Sequence, residues 1–151
     1  MPFRSPRPAP PEIAETTSAK QCVDYYIERA GITENKLSVC MRVNQQYLNK
    51  ITNRQIKNVD VDPLVCICLV LCMNLDEAFD MLSRFERAFS PANPLHHAYQ
   101  ELIEVYSEKN INYKDKNMDL AGVLEEADQY LTERKFPPLP DRTKGKDRKK
   151  Q

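Results

Sequence analysis

The chain of 151 residues has few of the residues on which sheet proteins depend. It contains three glycines and no tryptophan, and its β-branched runs are confined to short pieces. This composition argues against a sheet protein and predicts an all-α fold. With 41% hydrophobic residues, a chain of this length can bury one sizeable core, with little room for two independent ones.

Long apolar runs and catalytic motifs are also missing. No segment approaches about 18 uninterrupted apolar residues, and the start, Met-Pro-Phe-Arg-Ser-Pro-Arg-Pro, has no apolar signal core. We therefore expect a soluble, cytoplasmic protein with no membrane partner. Neither a Gly-rich phosphate loop, a nucleophile elbow nor a Ser/His/Asp constellation occurs, so we expect no enzyme and no cofactor.

Five cysteines are present, but their spacing is poor for a metal site. Cys66 would lie about 200° from Cys68 around a helix, and the sequence has no paired Cys-x-x-Cys knuckle. His96 and His97 are adjacent, so their side chains diverge. We expect buried thiols in a reducing cytosol and no metal; a metal or sensing role for Cys66, Cys68 and Cys72 is the alternative.

Acidic residues are absent from residue 35 to residue 59, although the formal net charge of the chain is zero. The same stretch carries five basic residues: Lys36, Arg42, Lys50, Arg54 and Lys57. A local cluster of positive charge without acidic residues is suited to binding phosphate groups.

This basic stretch has the pattern of two short helices joined by a three-residue corner. Thr33 can cap the first helix, and Asn44 can cap the second, whose buried stripe includes Leu48 and Ile51. The opposite, solvent-facing side of the second helix then carries five polar residues: Gln45, Gln46, Asn49, Lys50 and Asn53. Amides can pair with adenine in the major groove, and lysine prefers guanine or a phosphate. An ordinary polar surface helix is the alternative.

Residues 33–51 resemble the helix-turn-helix of the phage repressor/Cro-type (XRE-like) DNA-binding family, found in bacterial and phage regulators. The resemblance extends over about residues 19–89 and implies a lambda-repressor-like bundle of five helices. It also implies binding to double-stranded DNA as a homodimer. The base-reading residues are then Gln45, Gln46, Asn49 and Lys50, and the residues at the DNA backbone are Lys36, Arg42, Asn44, Tyr47, Asn53, Arg54 and Lys57.

The sequence departs from the family pattern at three places. Arg42 stands at the corner, where the family usually has Gly or Asn, and a left-handed backbone there costs a non-Gly residue about 1 to 2 kcal/mol. Glu34 stands where the family often has a phosphate-binding Gln, so its carboxylate is expected to repel DNA slightly. The loop 53–61 lacks the usual Gly.

Capping signals set the expected bounds of the other helices. The first helix should begin after Ser18, in a capping box with Gln21, and end at Gly31. The spacing predicts a central buried helix that opens with Asp62 as its cap and Pro63 as its first residue, and that runs to Met73.

Three further helices are expected after this buried helix. The fifth should begin at Asp76, with an inner edge made of Ala78, Phe79, Leu82, Phe85 and Phe89. The sixth should begin with Asn93 as its cap and Pro94 as its first residue. The last should span about residues 119–132, which gives about two helices beyond the five-helix bundle.

We therefore divide the chain into four parts. Residues 1–17 are expected to be a disordered Pro-rich arm. The alternative is that Arg4 and Arg7 form an arm that binds the minor groove of DNA. Residues 18–89 form the repressor-like domain, and residues 90–140 a helical extension. Residues 141–151 are expected to be a disordered basic tail, which either adds sequence-independent DNA affinity or is a solvated terminus.

The extension is acidic, with nine acidic and four basic residues between 101 and 134. It resembles an extension found on regulators of low-GC Gram-positive bacteria, through Ala88-Phe89-Ser90-Pro91 and Pro137-Pro138-Leu139. It either packs on the bundle, dimerises or receives a protein signal.

Together these features favour a sequence-specific DNA-binding transcriptional regulator that reads the major groove with residues 44–53. The alternative is a protein-interaction module, or an antitoxin-like adaptor, whose residues 90–140 bind a partner protein.

Overall fold

The computed structural model describes residues 13–143, and all the regular elements in this range are helices, with no strand. The all-α prediction is therefore confirmed for the described part of the chain. The elements follow in the order α1 (Ala19–Ala30), α2 (Glu34–Met41), α3 (Gln45–Thr52), α4 (Val61–Val70), α5 (Leu75–Arg84), α6 (Pro94–Ser107), a 3₁₀ turn (Leu120–Gly122) and α7 (Glu125–Glu133).

The first three helices begin at the residues that the capping signals predicted. Ser18 and Gln21 form the capping box of α1, and Gly31 ends this helix in a left-handed conformation with φ 71°. Thr33 Oγ1 accepts a hydrogen bond from the Lys36 backbone N–H at 3.1 Å. Asn44 Oδ1 accepts one from the Tyr47 backbone N–H at 2.7 Å. These side chains satisfy backbone donors that a helix start leaves without partners.

Helix α4 lies at the centre of the fold, in contact with α2, α5 and α6. All its residues from Pro63 to Val70 are buried, as its apolar sequence predicts. Its predicted bounds were wrong at both ends. Asp60 is the N-cap, so Pro63 is the third helical residue, and Asp62 accepts a hydrogen bond from the Tyr99 hydroxyl at 3.3 Å. The helix ends at Val70, because the chain turns at Cys72, whose φ is 53°.

Helix α5 begins one residue earlier than expected, with Asn74 and Glu77 forming its capping box. Glu77 is buried and accepts two hydrogen bonds from Arg29, at 2.6 and 2.9 Å, which joins α5 to α1. Phe79 was wrongly placed on the inner edge of α5, since this side chain is 45% exposed. Its ring packs edge-on against Phe89, with the centroids 5.9 Å apart.

The extension shares one hydrophobic core with the first five helices. Helix α6 begins at Pro94 with Asn93 as its cap, as predicted, whereas the last predicted helix divides into the 3₁₀ turn and α7. The Tyr106 hydroxyl donates to the carbonyl of Val123 at 2.8 Å. The Tyr113 hydroxyl donates to the carbonyl of Val70, at the end of α4, at 2.6 Å. The extension therefore packs on the bundle, which was one of the three expected arrangements.

Residues 13–17 were assigned to the disordered arm, but they are packed against the fold. Ile13 is buried, and Arg84 Nη1 donates to the carbonyl oxygens of Ala14 and Thr17 at 2.9 and 2.8 Å. Residues 1–12, with Arg4 and Arg7, and residues 144–151 lie outside the described residues.

Candidate nucleic-acid interface

The exposed face of α3 carries the four residues expected to contact bases. Gln45, Gln46 and Lys50 are exposed and Asn49 is half-buried. On the opposite face Leu48, Ile51 and Thr52 are buried, so the amphipathic pattern was interpreted correctly. The cap formed by Asn44 uses its carboxamide oxygen. The structure thus brings the polar residues together on one helix face.

The corner between α2 and α3 has the left-handed backbone expected there. Arg42 has φ 62° and ψ 44°, a conformation that costs a non-Gly residue about 1 to 2 kcal/mol. The loop after α3 lacks the Gly that is usual in the repressor/Cro-type family. It contains two further residues with positive φ, Arg54 and Asn58. Arginine and asparagine thus occupy backbone positions that favour glycine.

The guanidinium of Arg42, expected at the DNA backbone, points into the protein instead. Its Nη1 lies 2.6 Å from Asp128 Oδ2, and the Arg42 side chain is only 12% exposed. Burial lowers the pKa of Arg42, but the hydrogen bonds and charge of Asp128 outweigh that effect and raise the pKa overall. With its charge neutralised inside the fold, Arg42 is not placed to contact a phosphate.

Two more of the expected backbone-contact residues have partners within the protein. Arg54 donates to Glu86 Oε2 at 3.0 Å and to the Arg84 carbonyl at 2.9 Å. The guanidinium of Arg142 lies over the ring of Tyr47, 4.8 Å from its centroid. Burial raises the pKa of the Tyr47 hydroxyl, an effect that Arg142 opposes.

The remaining cations around α3 face solvent. Lys36 and Lys57 are exposed, as is Asn53, whose Nδ2 donates to the Asn49 carbonyl at 2.9 Å. The exposed basic groups near α3 are thus Lys36, Lys50, Arg54, Lys57 and Arg142, and of these Arg54 is paired with Glu86.

Residues 141–143 were assigned to the disordered tail, but Arg142 is packed: its N–H donates to the Arg42 carbonyl at 3.0 Å. Its place beside α3 depends on how the extension packs, which no local pattern predicts.

Glu34 lies at the edge of the α3 face, at the first position of α2. Its carboxylate accepts a hydrogen bond from Gln45 Nε2 at 3.4 Å, and Lys20 Nζ lies 3.9 Å away. The sequence marked Glu34 as a departure from the family pattern. Its contact with the α3 amides appears only in the structure.

The cysteines have the buried positions expected of structural thiols. Cys22, Cys40, Cys66 and Cys68 are buried, and all five are free. Burial raises the pKa of Cys22, Cys40 and Cys66 to about 12. Among residues 13–143, no cluster of three His, Cys, Asp or Glu side chains is arranged to hold a metal ion.

The two histidines make short-range contacts at the start of α6. His96 Nδ1 accepts from the Ser90 backbone N–H at 2.8 Å, and His97 Nε2 lies 2.7 Å from the Pro91 carbonyl. Both rings therefore fix the segment before α6.

Within the described range no helix is both long enough and apolar enough to cross a membrane. Comparisons with protein-family models, with curated proteins and with solved structures gave no match.

Proposed function

We propose that the chain is a cytoplasmic, sequence-specific transcriptional regulator of the repressor/Cro-type (XRE-like) family. In this proposal α2 and α3 form a helix-turn-helix within a lambda-repressor-like bundle, and α3 enters the major groove of double-stranded DNA. The observation that carries it is the exposed face of α3, where Gln45, Gln46, Asn49 and Lys50 lie together. Their amide and ammonium groups suit the base edges of the major groove.

The electrostatics beside this face support the same proposal. Lys36 and Lys57 are exposed within a stretch of the sequence that has no acidic residues, and both can contact phosphates. We propose that a homodimer binds two half-sites related by a two-fold axis, as the family resemblance implies. A two-fold operator then follows from the symmetry of the protein.

The proposal is tested by selecting bound duplexes from a random pool at about 150 mM salt, near physiological ionic strength. The full chain is compared with a Gln45→Ala/Gln46→Ala variant. A Gln100→Ala/Gln129→Ala variant, changed on α6 and α7, is the matched control. We expect wild type and control to enrich the same palindrome and the α3 variant to lose it. Enrichment unchanged in a folded α3 variant would show that the base readers are assigned wrongly.

A protein-interaction module, or an antitoxin-like adaptor, is the second candidate. Glu34 within the α3 surface and the exposed Glu104, Glu125 and Glu133 of the extension favour it, because carboxylates suit a basic protein partner. Since the extension shares the core, the full chain is the correct bait. A partner that is captured by wild type and lost when these three glutamates become Gln, with no duplex enriched, would favour this candidate.

A further inference from the structure

Three donors converge on the carboxylate of Glu34. Gln45 Nε2 donates to Oε1 at 3.4 Å, and Lys20 Nζ lies 3.9 Å from Oε2. One end of the Asn49 side-chain amide lies 3.0 Å from both carboxylate oxygens, and we assign the amide nitrogen to that position, where it donates to both. The opposite amide orientation would set the Asn49 oxygen against a carboxylate. One side chain of α2 therefore orients two amides of α3.

This orientation decides which atoms of the amides remain for a ligand. A carboxylate only accepts hydrogen bonds, so it binds the amide nitrogens of Gln45 and Asn49 and turns their carbonyl oxygens away from Glu34. In the major groove adenine N6 and cytosine N4 are donors, whereas guanine N7, guanine O6 and thymine O4 are acceptors. Carbonyl oxygens that are held in this way beside a carboxylate attract the first group and repel the second.

We infer that Glu34 is a specificity-determining residue that acts through Gln45 and Asn49. It selects adenine or cytosine over guanine or thymine at the bases these two amides contact. The inference rests on the proposed DNA-binding function and adds the base class to it. Lys50, which only donates, retains the usual preference of lysine for guanine or phosphate. The α3 face thus combines an accepting region near Glu34 with a donating one at Lys50.

Duplex selection with the full chain carrying Glu34→Gln or Glu34→Asp tests this inference. Glutamine brings its own donor, so it no longer fixes the amide orientation. Aspartate keeps the charge but is one methylene shorter, which separates the effect of reach from the effect of charge. Glu28→Gln removes the same charge from an exposed position on α1 and is the control. The positions to compare are those at which Gln45→Ala or Asn49→Ala loses base preference.

At these positions we expect wild type and Glu28→Gln to favour adenine or cytosine by roughly fivefold or more. Both Glu34 variants should admit guanine and thymine there, while the rest of the operator is retained. Circular dichroism and thermal unfolding establish that each variant is folded. If Glu34→Gln does not fold, Glu34→Asp alone provides the test.

Three outcomes would overturn the inference. A wild-type preference for guanine at these positions would contradict it, as would a base profile unchanged in both Glu34 variants even if their affinity changes. In either case DNA binding itself stands. If the folded wild-type chain enriches no duplex, the proposed function fails and the inference fails with it.

Discussion

Arg42 and Asp128 are 86 residues apart in the sequence and form a two-point ion pair, with Nη1–Oδ2 and Nη2–Oδ1 distances of 2.6 and 3.2 Å. Leu139 completes this junction: its N–H donates to Asp128 Oδ1 at 2.9 Å, and its carbonyl accepts from Arg42 Nη2 at 3.3 Å. The extension therefore holds the corner between α2 and α3. These contacts offset the cost of a left-handed arginine.

Removal of Asp128 should destabilise the fold. Because the Arg42 and Asp128 side chains are only 12% and 22% exposed, Asp128→Ala leaves a largely buried guanidinium without its counter-charge. We expect a loss of about 3 kcal/mol, the lower end for a buried pair, because Nη2 still donates to the Leu139 carbonyl. Urea unfolding of Asp128→Ala, Arg42→Ala and the double variant measures the coupling. A coupling below about 0.5 kcal/mol would mean that the pair contributes no more than an exposed one.

Shortening the chain to end at Thr143 should weaken non-specific DNA binding. Arg142 N–H donates to the Arg42 carbonyl at 3.0 Å, so the chain leaves the described structure beside α3. The segment removed, 144–151, carries five basic residues and one acidic residue. We expect the slope of log K against log salt to become shallower by about 0.9 for each phosphate that the shortened chain no longer neutralises.

The control for this truncation is the selected operator, whose sequence should stay the same because α3 is intact. An unchanged salt dependence on random duplex would identify the segment as a solvated terminus, which was the alternative role for the tail.

Two apolar residues of α5 should differ sharply in their contribution to stability. Leu82 is fully buried, whereas Phe79 is 45% exposed. Leu82→Ala should cost about 2 to 5 kcal/mol, because it leaves a cavity in the core. Phe79→Ala should cost less than about 1.5 kcal/mol, since much of its ring already meets water. Equal losses in urea unfolding would place Phe79 in the core after all.

Stability should fall as the pH rises above about 9. Burial raises the pKa of the Cys22, Cys40 and Cys66 thiols from 9.0 to about 12. Between these values the unfolded chain releases protons that the folded chain retains. The stabilising effect is therefore complete below pH 9 and is lost toward pH 12, by up to about 1.4 kcal/mol per pH unit for each thiol.

Urea unfolding between about pH 7 and pH 10.5 checks this dependence, with the range chosen to span the ordinary thiol pKa. Cys66→Ala, which removes one of the thiols, should show a shallower decline than wild type. An equal slope in the two proteins would mean that this thiol ionises alike in the folded and unfolded chains.

Features fixed by neighbouring residues were predicted well. The capping box of Ser18 and Gln21, the stop at Gly31 and the caps at Thr33 and Asn44 all occur as expected. Each depends on a side chain that binds a backbone group within a few residues, or on one backbone conformation.

The errors fall where several local choices were equally good. Asp60 and Asp62 can both cap a helix, and packing of α4 against its neighbours selected the earlier start. Phe79 has the spacing of an inner-edge residue, but its ring lines an open surface pocket with Phe89 and Pro91 instead of the core. Ile13 follows a run of prolines and is nevertheless buried.

The sequence by itself determined the helical class, most helix starts and the polar face of α3, because capping and amphipathic period act over one or two turns. Only the tertiary structure decided that Arg42 pairs with Asp128, that Arg142 lies on Tyr47 and that Glu34 orients the amides of α3. These contacts join different helices. They depend on how the whole core packs, which no local pattern specifies.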